Sequence, residues 1–208
     1  MINKFPNRIP IFPLRNAIFF PETNLPLNIF EQRYLKMVEK VIEGNGVLGM
    51  IQSKKVDGEV FEVGCLGKIN NHQKTDDGRI LINLYGLSRF KIKKEIKNEE
   101  PFREFEVNYD FFKNDIIQDN SLDENLFKKL VDNSKKIYEK QGLALNWNEL
   151  SNLKKTQQIY TLIMISPFSV GEKQKLLEIP QVNDIAQTFI ELTNFSFYEN
   201  VDGENILQ

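Results

Sequence analysis

The sequence IPIFPLRN, residues 9–16, is followed within a few positions by Phe19, Phe20 and Pro21. A proline in a strand has no N–H to donate to a neighbouring strand, so the two prolines of the first run predict a strand at a sheet edge or at a strand end. Residues 15–26 are rich in turn-forming residues. Their bulky apolar groups therefore stand on irregular backbone and either fill the core or face a partner.

The remainder of the first half alternates apolar and polar residues in short runs, as β-strands do. The predicted strands are 47–52, 63–70, 80–94 and 104–112. Asp77 and Gly78 predict a hairpin between the second and third of these strands. One helix interrupts the series, and we expect it to begin at Asn28, which forms a capping-box pattern with Glu31.

The second half shows helical periodicity throughout. Cap residues divide it into four predicted helices, which begin near Ser121, Asn146, Ser169 and Val182, and the second of them is expected to run to about Ser166. The sequence thus predicts an α+β protein, with a β-rich N-terminal subdomain over 1–119 and a helical bundle over 120–208. The Asn- and Asp-rich segment around Asp119 marks the expected boundary.

Composition narrows the classes of function. The chain has 27 basic and 29 acidic residues, hence a formal charge of −2, which gives no global attraction to nucleic acid or to an anionic membrane. Cys65 is its single cysteine, so no intramolecular disulfide can form, as suits a reducing compartment. No signal peptide or membrane-spanning stretch is visible. We therefore expect a cytoplasmic protein without a membrane partner.

The sequence gives no support to either of two common nucleotide-binding motifs. Residues 44–49, GNGVLG, match the spelling of a dinucleotide-binding turn. In that motif the glycines follow a strand and open a helix, whereas here a helix precedes and a strand follows, so the glycines end a helix. The sequence contains no P-loop pattern for binding ATP phosphates. We expect no nucleotide cofactor.

Catalytic and metal sites find little support. His72 is the single histidine, which excludes sites that need two imidazoles. Cys65 and His72 could form a nucleophile pair, but an odd separation along one strand points their side chains to opposite faces. The expected protein is therefore not an enzyme and has no catalytic residues, no metal and no cofactor. A hydrolase using Cys65 is kept as a third hypothesis.

The densest basic stretch runs from Arg89 to Lys97. Such a stretch can contact a phosphate backbone. However, acidic residues interrupt and follow it, and alternation directs Phe90 away from the lysine face, so a solvated strand face is favoured over a nucleic-acid site.

Several segments, taken in order, resemble the N-terminal domain family of Lon proteases. The resemblance is carried by Ile9–Asn16, Phe19–Pro21, Leu25–Leu27, Val63–Ile69, Gly78–Phe90 and Met164–Glu178. It implies a β-rich, PUA-like pseudo-barrel followed by helices. Cys65 departs from the family pattern, where a small residue such as Thr or Val is usual. Because the chain ends at Gln208, we expect no ATPase or peptidase module and carry over no proteolysis.

The resemblance implies a non-catalytic polypeptide-binding or adaptor protein. Its expected partners are unfolded or exposed apolar polypeptide segments, with a protease or chaperone as a further candidate. The predicted contact surface is Phe19, Phe20, Pro21 and Tyr34, with a structural role of the first loop as the alternative. A PUA-like RNA-binding protein is the competing hypothesis, because such barrels also occur in RNA-binding proteins.

Overall fold

The computed structural model of the protein describes residues 5–54, 58–117 and 121–204. The chain divides into two compact units, Met1–Gln118 and Asp119–Gln208. The predicted boundary residue Asp119 lies outside the described residues. Strands followed by helices make this an α+β protein, as predicted.

The first unit is a six-stranded sheet that closes on itself. Its strands are β1 (Arg8–Leu14), β2 (Asn24–Ile29), β3 (Val47–Ser53), β4 (Val60–Lys74), β5 (Ile80–Ile96) and β6 (Glu104–Asn108), and its helices are α1 (Gln32–Glu43) and α2 (Lys113–Ile117). The strand order is β2-β5-β4-β3-β1-β6, and β6 also pairs with β5. Five strands therefore form a closed pseudo-barrel, and β2 extends it at β5. Its interior holds Ile9, Ile11, Ile51, Leu66, Phe90, Phe105 and Val107.

Of the two predicted placements of this segment, a sheet edge or a strand end, the position of β1 excludes the sheet edge. This strand lies between two others in the barrel wall, parallel to β3 and antiparallel to β6. Ile11 N donates to Arg103 O at 2.9 Å. Because backbone polar groups alternate along a strand, the backbone N and O atoms of residues 9, 11 and 13 face β6, and those of residues 10, 12 and 14 face β3. The pairing with β3 begins only after Pro10, and that with β6 ends before Pro13. Each proline thus stands where no donor is required.

The connection after β1 is anchored on the sheet at two places, where the Phe20 backbone lies against Gly86 and the Phe19 ring lies against Gly67. A Cβ at Gly86 would lie 2.1 Å from Phe20 O, and one at Gly67 would lie 2.8 Å from the Phe19 ring. Glu22 N also donates to Gly86 O, and Gly86 N donates to Thr23 O, both at 2.9 Å. Glycine is required at both positions because any side chain would push this connection off the barrel.

Helix α1 starts later than the sequence predicts. Asn28 lies in β2, opposite Leu81, and the N-cap of the helix is Glu31, without a side-chain cap bond. Pairing with β5 therefore outweighs the local capping preference of Asn28. The apolar face of α1 buries Tyr34, Met37, Val38 and Val41, whereas Phe30 precedes the helix and is 63% exposed.

The predicted hairpin at Asp77 and Gly78 is present, and its two strands, β4 and β5, are the longest in the sheet. Between Ile92 and Lys94 the β5–β6 register shifts, which places Lys93 and Lys94 both on the outside. The last predicted strand ends at Asn108 instead of 112, because Asp110–Phe112 forms a 3₁₀ turn that leads into α2.

The second unit has five described helices where the sequence predicts four. They are α3 (Glu124–Lys140), α4 (Trp147–Ser151), α5 (Lys155–Ile165), α6 (Val170–Glu178) and α7 (Val182–Glu204). Asn146 caps α4 and Ser169 forms a capping box with Glu172, both as predicted, whereas Asp123 caps α3 in place of Ser121. The expected helix 146–166 is divided at residues 152–154. The core includes Ile137, Ile159, Leu176, Ile185 and Phe189.

Candidate functional site

A cleft of about 480 Å³ opens on the first unit where β1 ends and α1 begins. Its size falls within the usual range of ligand pockets. It is lined by Ile11, Pro13, Leu14, Arg15, Glu31, Arg33, Tyr34, Ser53, Gly58, Pro101, Phe102 and Arg103. Apolar and charged side chains thus share one concave surface. Pro13 is one of these lining residues. Its backbone N points towards β6, whose pairing with β1 has already ended at Pro10, so no N–H is needed there.

The apolar wall is rigid because its rings are packed from behind. The Tyr34 ring meets Phe12 edge to face, with ring centroids 4.5 Å apart, and only 4% of Phe102 is exposed. Burial raises the pKa of the Tyr34 hydroxyl, so Tyr34 is neutral over the physiological range. The wall offers apolar surface with one neutral hydroxyl.

Arg103 is a fixed member of the cleft. Its Nε and Nη2 each lie 2.7 Å from a different oxygen of Glu95, and Nη1 donates to Gly58 O at 2.6 Å. The hydrogen bonds from Arg103 lower the pKa of Glu95, and those to Glu95 raise the pKa of Arg103, so both groups stay charged near neutral pH. Most of the hydrogen-bonding capacity of Arg103 is therefore already used.

Arg33 and Arg15 are the more exposed cations of the cleft. The Arg33 guanidinium lies 4.6 Å from the centre of the Tyr34 ring and contacts Glu31 at 2.9 Å. Two of its nitrogens share one Glu31 oxygen, which leaves other N–H donors of the guanidinium available. Arg15 is exposed at the end of β1 and forms no ion pair with any residue that the structure describes.

The four residues of the predicted contact surface do not lie together on the cleft. Phe19 and Phe20 are fully buried and Pro21 is also buried, so these three belong to the connection anchored on the sheet. This burial agrees with the structural alternative considered for the first loop. Tyr34 is also largely buried, at 5% exposed, but it lines the cleft.

Sequence reasoning missed most of the cleft. Arg15, which follows β1 directly, could have been proposed from the sequence because it belongs to the segment 9–16 that resembles the Lon family pattern. Phe102 and Arg103 come from the break before β6, and nothing in a single sequence places that break beside α1.

The environment of Cys65 speaks against a nucleophile. The thiol is fully buried, and this burial raises its pKa well above the usual value, whereas a reactive cysteine needs access and a lowered pKa. His72 is exposed seven positions along β4, which is about 23 Å in an extended strand. Among the described residues, no group of three potential metal ligands is present.

The basic stretch is largely paired with carboxylates. Lys91 contacts Glu62 at 3.1 Å, and Glu106 lies 3.6 Å from Lys93 and 3.1 Å from Lys94. These side chains form mixed-charge pairs on the strand surface rather than a positive groove, so the stretch gives no support to the RNA-binding hypothesis.

Arg89, the first residue of that stretch, is buried and serves the fold. Its Nε and Nη2 lie 2.9 and 2.7 Å from the two carboxylate oxygens of Asp115, and its backbone N donates to the same carboxylate at 2.9 Å. The guanidinium lies 4.6 Å from the centre of the Phe112 ring. This pair fastens α2 to β5.

Comparisons with known proteins agree with this architecture. A family model described as the ATP-dependent protease La (LON) substrate-binding domain matches residues 8–194. Lon protease of Desulfosudis oleivorans is 26% identical over 99% of this chain and 22% of its own length. Lon protease of Cytophaga hutchinsonii is 31% identical over 50% of this chain and 13% of its length. The chain thus spans less than a quarter of the length of these two relatives.

Solved structures extend the likeness to the fold. A Lon N-terminal domain protein from Xanthomonas campestris superposes with a TM-score of 0.68 at 18% identity, over 88% of this chain and 97% of that one. The N-terminal domain of Mycobacterium avium complex Lon protease gives 0.64 at 13% identity, over 90% and 98%. Within the described residues, no helix is long and apolar enough to cross a membrane. On the extent of the family match, the chain belongs to the Lon protease substrate-binding domain family.

Proposed function

We propose that this chain is a non-catalytic polypeptide-binding or adaptor protein of the cytoplasm, and that it holds exposed apolar segments of other proteins in the cleft between β1 and α1. The observation that carries the proposal is the cleft itself, in a chain of the Lon substrate-binding family. A protease or chaperone that receives the bound segment is the expected downstream partner.

The composition of the cleft supports a polypeptide ligand. Pro13, Leu14 and Pro101 offer apolar contact, while the arginines and the Tyr34 hydroxyl can bond the peptide groups and polar side chains of an extended segment. Arg and Tyr are enriched at protein interfaces because each combines apolar surface with hydrogen bonding. Tyr34 is thus the residue of the predicted contact surface that we retain for binding, whereas Phe19, Phe20 and Pro21 are buried in the connection that follows β1.

A titration with an unfolded model protein, such as a reduced and alkylated secretory protein, tests the proposal. The full chain should bind in the micromolar range or tighter. Leu14→Ala, which removes apolar surface from the wall of the cleft, should weaken binding about three- to tenfold, because each contacting methylene is worth roughly 0.8 kcal/mol.

Leu81→Ala is the matched control, because Leu81 is another partly exposed leucine of the same unit (41%) that does not line the cleft. It should leave the affinity unchanged. Binding no stronger than that of an unrelated globular protein, or equal losses in the two variants, would remove the cleft as the polypeptide site.

A further inference from the structure

Building on the proposed function, we infer that the cleft selects segments in which an acidic residue neighbours a large apolar residue, with the carboxylate paired to Arg15. The occupant is a polypeptide of this composition. Its apolar side chain packs on Leu14 and Pro101, and its carboxylate contacts the Arg15 guanidinium at the rim.

The argument begins with the charge of the cleft. Three arginines line it, against the single carboxylate of Glu31. Arg103 is neutralised by Glu95 and Arg33 by Glu31, at 2.7 and 2.9 Å. Among the residues that the structure describes, the positive charge left without a counter-charge is that of Arg15, although the whole chain carries a formal charge of −2. The local charge of the cleft is therefore opposite in sign to that of the protein.

The position of Arg15 then defines the ligand. It follows Pro13 and Leu14 directly, so a ligand that covers these apolar residues has the guanidinium next to it. A guanidinium binds a carboxylate through two parallel hydrogen bonds, which a neutral amide reproduces poorly and an ammonium group opposes.

Three short fluorescent peptides test the inference. They share a Leu-Phe pair and differ at the next residue, which is Glu, Gln or Lys. For the wild-type chain we expect the Glu peptide to bind about two to five times more tightly than the Gln peptide, the range that an exposed ion pair supports. The Lys peptide should bind most weakly, and added salt should reduce the Glu-to-Gln ratio.

Arg15→Gln should bring the Glu-to-Gln ratio close to one while leaving the affinity for the Gln peptide nearly unchanged. Arg79→Gln is the matched control, because Arg79 is an exposed arginine that pairs with Asp77 beyond β4 and does not line the cleft. It should keep the wild-type ratio. Because both side chains are exposed, the variants should melt like the wild type.

Two failures can be told apart. If the unfolded model protein binds and Leu14→Ala weakens it, but the three peptides bind alike or Arg15→Gln keeps the ratio, the charge preference is wrong and the proposed function stands. If neither the model protein nor any peptide binds, both are wrong.

Discussion

Removing one member of the Arg89–Asp115 pair should be among the most damaging single changes in the first unit. The side chains are 1% and 3% exposed, and three hydrogen bonds join Arg89 to the Asp115 carboxylate. Arg89→Met leaves this carboxylate buried without its cation. Such a loss costs about 3–5 kcal/mol, because the remaining charge keeps its desolvation penalty without the compensating attraction.

The structure also ranks the other variants of this pair. Asp115→Leu should cost more than Arg89→Met, because it removes the counter-charge of the buried guanidinium and also the acceptor of the Arg89 backbone N–H, which is worth about 1–3 kcal/mol. The double variant should be more stable than the sum of the two losses implies, since no buried charge remains. Lys91→Met, on the same strand, breaks the exposed pair with Glu62 and should cost less than about 1 kcal/mol.

Urea unfolding followed by far-UV circular dichroism measures these differences. Trp147 lies in the second unit, so its fluorescence does not report on the barrel directly. Hydrogen exchange of the β5 amides provides a local check, and Arg89→Met should accelerate it strongly. If Arg89→Met costs no more than Lys91→Met, the pair does not fasten α2 to β5 in the way described.

Three further predictions concern single buried groups. Cys65 should react slowly with a thiol reagent at neutral pH and rapidly in urea, because burial raises its pKa; rapid labelling of the native protein would contradict this. Neither amide atom of Gln52 has a hydrogen-bond partner among the described residues, so Gln52→Met should raise the free energy of unfolding by about 1–2 kcal/mol, measured by urea unfolding, and a loss would show that the amide is satisfied. Burial opposes the ionisation of Glu104, yet the hydrogen bond and charge of Arg8 hold its pKa below 4.5. Its contribution to stability is therefore present above pH 4.5 and lost as the pH falls through the lowered pKa. Glu104→Gln should destabilise the protein at neutral pH and narrow its difference from wild type in acid, whereas a constant difference in unfolding midpoint across the pH series would refute the assignment.

Much of the architecture could be predicted because strand periodicity and turn residues act locally. The β4–β5 hairpin and the Ser169 cap follow from signals only a few residues long. The start of α1 could not be predicted in the same way. Asn28 has a good local capping pattern, but the pairing of β2 with β5, more than fifty residues further along the chain, determines its conformation.

The division of the predicted helix 146–166 has a similar origin. Residues 152–154 interrupt it, and Gln157 accepts a hydrogen bond from Lys154 N at 3.1 Å while Gln158 donates to Leu153 O at 2.8 Å. These two glutamine contacts restart the helix as α5, and their residue types are equally compatible with an unbroken helix.

The candidate site was harder to predict than the fold. Exposure of an aromatic residue depends on what covers it, and Phe19 and Phe20 are covered because Gly67 and Gly86 let them approach the sheet. Arg89 belongs by sequence to a basic stretch, and only the position of Asp115, 26 residues later, distinguishes a buried cation from a solvated one. Such distinctions depend on long-range contacts that a single sequence does not encode locally.

The outer side of β2 determines how readily another extended chain could add to this sheet. It is the one described strand with a single neighbour. Gly86 N donates to Thr23 O, so the alternation of backbone groups along β2 points the backbone N of Pro26 away from β5, towards the open side. An incoming extended segment therefore meets a gap in the row of amide donors. At this edge, β2 is therefore a poor template on which the β-structure of another chain could grow.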